Sequence, residues 1–69
     1  MTLHWKEAPE GTWTAVLADK RSVTIKEAGH VLRVTLRSAE DGIVKVVSSF
    51  DTLHKTKRLA ARLVDTTRD

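Results

Sequence analysis

An α+β domain, an antiparallel meander of three to four strands with one C-terminal helix packed on one face, is the fold this sequence predicts. Period-two alternation of apolar and polar residues recurs between Thr12 and Ser48, and short turn-forming clusters interrupt it at regular intervals. From Asp51 to Asp65 the period changes to that of an amphipathic helix. The 69 residues make one domain. Residues 1–10 form an N-terminal arm, 12–48 the β-meander and 51–65 the helix.

The first strand, Thr12 to Leu17, alternates with Trp13, Ala15 and Leu17 on the inward face and Thr12, Thr14 and Val16 on the other. Asp19-Lys20-Arg21 reads as a turn. In the second strand, Ser22 to Lys26, Val23 and Ile25 point inward while Thr24 and Lys26 point out. Glu27 to His30 reverses the chain, helped by Gly29, which adopts positive φ at little cost. The third strand, Val31 to Arg37, has one register that buries no charge: Leu32, Val34 and Leu36 inward, Arg33, Thr35 and Arg37 outward. Asp41-Gly42 is a hairpin signal. The fourth strand, Ile43 to Ser48, places Val44 and Val46 inward if Lys45 is to reach solvent, which leaves Val16, Val31, Ile43 and Val47 on the outer face as a protein or dimer contact.

Asp51 or Thr52 caps the helix. Its apolar arc is Leu53, Leu59, Ala60, Leu63 and Val64, with Thr56 inside it, and the opposite arc carries His54, Lys55, Arg58 and Arg62. Ala60 is small where a helix must approach a sheet. Trp13 belongs to the core, and Trp5 closes its open end.

Composition excludes several classes of function. A chain of this length buries only about 60% of the surface it exposes when unfolded, so a thin core leaves little room for a cofactor pocket. With no cysteine there is no disulfide framework, and no glycine-rich loop cradles phosphate. His4, His30 and His54 lack the short spacings of a metal site. Ser48, Asp51 and His54 have the residue types of a nucleophilic triad, but Asp51 is wanted as a cap and His54 lies in the first helical turn. We therefore expect a non-catalytic protein without cofactor or metal. The start Met1-Thr2-Leu3-His4-Trp5-Lys6-Glu7 shows no export signal and no run reaches membrane-spanning length, which makes a soluble, cytoplasmic protein the default expectation.

The formal charge is +3, unevenly spread: residues 1–50 carry seven bases and six acids, residues 51–69 five and three. Two cationic surfaces follow. Lys26, Arg33, Thr35, Arg37 and Lys45, with Thr14 and Thr24, would project from the sheet face opposite the helix. Arginine pairs bidentately with guanine, and lysine and threonine hold phosphates, so such a face suits duplex DNA. Lys55, Arg58 and Arg62 form a ridge on the helix, a second phosphate contact. Lysines near a helix N-terminus oppose the macrodipole by about 0.3–1 kcal/mol each, which again points to an anionic partner.

The order of elements resembles the small domain that precedes the catalytic part of many phage integrases and is similar to plant AP2-type DNA-binding domains. Ser49-Phe50-Asp51-Thr52-Leu53-His54-Lys55 resembles the aromatic-x-Thr start of that family's helix; Thr56 stands where an alanine is usual, and Lys55 replaces the acidic capping-box residue. The resemblance implies DNA reading by the outer sheet face, here Arg33, Thr35 and Arg37. The expected partner is duplex DNA, with an acidic protein surface as the alternative, as for a phage-encoded modulator of a host protein; a homodimer is a further option, and no membrane is involved.

Overall fold

The computed structural model describes residues 3–40 and 42–67. Five strands, β1 (Lys6–Ala8), β2 (Thr12–Val16), β3 (Ser22–Ala28), β4 (Val31–Arg37) and β5 (Ile43–Ser49), precede one helix, α1 (Leu53–Thr67). The strands form a single antiparallel meander in chain order, so the α+β class and the C-terminal helix agree with the sequence. The strand count is five rather than three to four. Lys6–Ala8 leaves the N-terminal arm to pair with Thr12–Thr14.

The turns between strands explain the register. Pro9 leads into Glu10 and Gly11, both at positive φ (70° and 68°), which reverses β1 into β2. Leu17, Lys20 and Arg21 close the next reversal through backbone bonds, with Lys20 at φ 72°. There the Asp19 carboxylate accepts from the Arg21 backbone N–H (3.1 Å) and from its Nε (2.6 Å), and these bonds hold the Asp19 pKa below its ordinary 3.8. Ala28 pairs with Val31, so β3 and β4 are joined by Gly29-His30 alone, with positive φ at Gly29 as a tight two-residue hairpin requires. The last reversal is not made by a glycine in the left-handed region. Ser38 instead receives Gly42 N–H on its Oγ (3.2 Å) and donates its own N–H to the Gly42 carbonyl (2.8 Å); Asp41, the other half of the expected Asp-Gly signal, lies outside the described residues.

Cross-strand pairs share a face, so the registers define the core row by row. Ala15, Val23 and Leu36 make one inward row, and Trp13, Ile25, Val34 and Val47 the next. Onto these α1 sets Thr56, Ala60, Leu63 and Val64, all buried. Ile25, Leu36, Val23, Val34 and Val64 are wholly enclosed, each contributing about 1.5–3 kcal/mol by removal from water. Trp5 and Trp13 are half-buried against this cluster, as the sequence suggests.

β5 departs from expectation. Val47 and Ser49 face the helix, Lys45 pairs with inward Leu36, Val46 pairs with outward Thr35, and Val44, at the register shift, is half-exposed. The expected inward Val46 and outward Lys45 and Val47 are thus reversed, and Val44, expected inward, falls at the register shift and is not buried. β5 is an edge strand, so Lys45 reaches solvent sideways, past the helix, without leaving the inward register. A register shift opposite Leu36 and Arg37 adjusts the strand's start.

The end of β5 is fastened to α1 by hydroxyls. Thr52 caps the helix, accepting the Lys55 backbone N–H on Oγ1 at 3.3 Å. The Thr56 hydroxyl donates to the Thr52 carbonyl (2.8 Å), which commits its one proton. Ser49 must then donate to Thr56 Oγ1 (2.8 Å), while Ser49 Oγ accepts the Asp51 backbone N–H (3.3 Å). Thr56 is fully buried and no buried side-chain polar atom among the described residues lacks a partner.

Candidate nucleic-acid interface

The sheet face away from α1 is built from three long rows and, at the β3–β4 hairpin end, the pair Ala28 and Val31. Ala8, Thr12, Lys26, Arg33 and Ser48 form the first; Lys6, Thr14, Thr24, Thr35 and Val46 the second; Val16, Ser22, Arg37 and Ile43 the third. Of the sequence-derived candidates, Lys26, Arg33, Thr35 and Arg37 lie here. Lys6 joins them through β1. The hairpin that places it was visible only as a Pro-Glu-Gly turn between two short runs, and Lys6-Glu7-Ala8 has little strand character of its own.

Lys26 and Arg33 are directly opposed, which puts their Cβ atoms about 4.5–5.5 Å apart. Both are exposed. The carboxylates that β1 and β3 carry, Glu7 and Glu27, pair with Trp13 and Leu32 and so belong to the helix side. Among the described residues, no strand therefore places an acid on the outer face. Like charges set opposite each other are destabilising by about 0.2–1 kcal/mol, a cost that a bound anion would reverse in sign. Between the cations, Thr14, Thr24 and Thr35 form a continuous half-buried row of hydroxyls. Towards the third row the same face is apolar, with Val16 70% exposed and Ile43 61%.

Lys55, Arg58 and Arg62 are exposed on α1, as the helical period requires. With Ser49, Asp51 and Leu59 they line a shallow groove of about 350 Å³. Lys55 Nζ stands 3.9 Å from Asp51 Oδ1, both well exposed, so the pair contributes little. Because α1 covers the inward side of the sheet, this ridge looks away from the outer face. The eight candidates thus divide into four on the outer face, three on the helix, and Lys45 on the helix side of β5. One rigid duplex cannot touch the sheet rows and the helix ridge together. Lys57 belongs to neither set: its Nζ lies 6.0 Å from the centre of the Trp5 ring, at the outer range of a cation–π contact.

The triad-like residue types are not assembled. Ser48 pairs with Arg33 on the outer face, whereas Asp51 and His54 are exposed at the start of α1. Among the described residues no three His, Cys, Asp or Glu side chains are grouped to hold a metal ion, and no helix is long and apolar enough to cross a membrane. No family model, curated protein or solved structure matches this chain.

Proposed function

We propose that this is a non-catalytic DNA-binding protein, or an accessory to DNA transactions, that engages the duplex backbone and groove with its outer sheet face. The observation that carries the proposal is the opposed pair Lys26 and Arg33 on a face where, among the described residues, the strands hold no acid. Lys6 and Arg37 extend the positive field along and across the strands, and the threonine row supplies neutral hydrogen-bonding groups between them. The resemblance to the integrase and AP2-type domains points the same way. Lys55, Arg58 and Arg62 serve a second, separate strand or an acidic protein. A cytoplasmic setting suits this role.

Fluorescence anisotropy of a labelled random-sequence duplex tests it. Four phosphate contacts would make log K fall with log salt at a slope of about −3 to −4, so that affinity drops roughly a hundredfold between low and physiological salt. Lys26→Ala with Arg33→Ala should reduce that slope by about 2. An unchanged slope removes the outer face from the interface. A duplex that fails to bind even at low salt favours the second reading, a protein-interaction module, which the exposed Val16 and Ile43 on the same face support.

A further inference from the structure

We infer that the β5 edge pairs with the β5 edge of a second copy, joining two sheets into one across a two-fold axis. The two edges of this sheet are unlike. At one side β1 has three residues, two of them charged, and ends at Pro9, which has no N–H to offer a neighbour. Such features blunt an edge against further pairing. At the other side β5 has seven residues, no proline and a single charge, Lys45, and it leaves Val44 (50% exposed) and Val46 (47% exposed) beside unpaired backbone.

The sequence of β5 suits its own reverse. An antiparallel pair centred on Val46 opposes Lys45 to Val47, and the register shift near Ile43 and Val44 confines regular pairing to this central part of the strand. Val46 then meets Val46 of the second copy on the outer face. On the helix side Lys45 meets Val47, whose exposed part its aliphatic stem can cover. A centre at Lys45 would oppose two ammonium groups and is disfavoured. The helix-side hydroxyls of Ser49 are already satisfied by Thr56, so they make no competing demand. A two-fold axis between antiparallel neighbours in one sheet runs perpendicular to it, which keeps the helices of both copies on one side. With strands about 4.8 Å apart, the two β4 strands and their arginines would stand ~14 Å from each other on the opposite side. A chain this short, with no disulfide, is also in the size range where association supplements a thin core.

Sedimentation equilibrium and light scattering in the absence of nucleic acid test the pairing separately from DNA binding. The wild-type chain should show twice the 7.7 kDa of one copy at micromolar concentration. Val46→Lys and Val46→Glu each place like charges across the axis and should raise the self-dissociation constant at least about tenfold, with far-UV circular dichroism confirming that the half-exposed site tolerates them. Mixing the two variants should restore the dimer, because the ammonium introduced in one copy would then face the carboxylate introduced in the other. A monomeric wild type up to hundreds of micromolar overturns the proposal, as do variants that remain dimeric. A mixture that stays monomeric overturns the Val46-centred register.

Discussion

Replacing Thr56 by valine removes one hydroxyl and leaves the shape and β-branching of the side chain intact, so helix propensity and packing volume barely change. The hydroxyl gives up two hydrogen bonds, one to the Thr52 carbonyl and one from Ser49. The Thr52 carbonyl keeps its backbone partner, Thr56 N–H at 2.9 Å, so the principal loss is at Ser49, whose proton loses its acceptor in a buried position. A stranded buried donor costs about 1–3 kcal/mol, and the added methyl at a fully enclosed site returns part of that. The net expectation is a loss of about 1–2 kcal/mol. For a domain of this size, whose whole stability is about 3–10 kcal/mol, that lowers Tm by roughly 4–16 °C. Urea and thermal unfolding followed by the fluorescence of Trp5 and Trp13 would measure it. Ser49→Ala combined with Thr56→Val provides the control: with both buried partners gone, the double variant should be more stable than the sum of the single losses by about 1 kcal/mol. A Thr56→Val protein as stable as wild type, or single effects that simply add, would refute the hydroxyl chain as the fastening between β5 and α1.

Thr52→Ala removes the cap from the Lys55 N–H and should cost about 1 kcal/mol by urea denaturation, with no change in DNA affinity; equal stability would mean that Asp51 takes over as cap. Because the folded-state pKa of Asp19 is lowered, its contribution is present above the ordinary value of 3.8 and is lost as pH falls through the lower, folded value. Thermal scans below about pH 4 should therefore show a shallower acid loss for Asp19→Asn than for wild type, and parallel profiles would remove Asp19 from the acid response.

The middle of the sheet is legible in the sequence because charge and apolarity alternate there without ambiguity. In Val31–Arg37 any register other than Leu32, Val34 and Leu36 inward would bury arginine, and the structure follows it residue for residue. β5 offers no such contrast. Its valines stand at both parities, so Lys45 becomes the deciding residue, and the rule that a lysine must point away from the core fails at an edge, where solvent lies beside the strand as well as above it. Ser49 and Thr56 decide the register instead, a hydrogen bond between strand and helix that local pattern does not display. The outer-face cations were readable one by one. Their opposition was hidden by taking Glu27–His30 as the turn; with Gly29 and His30 alone in the loop, Ala28 pairs with Val31 and Lys26 falls opposite Arg33.

The short strand β1 has a role out of proportion to its three residues. A sheet with one receptive edge can recruit a single neighbour and then stops, whereas a sheet with two receptive edges has no last member. With residues 1–8 removed, Thr12–Val16 would become the outermost strand, bearing three threonine or tryptophan residues and no charge. The finite pair would then be free to extend into a filament, and the property that β1 controls is whether the protein stays in solution at all.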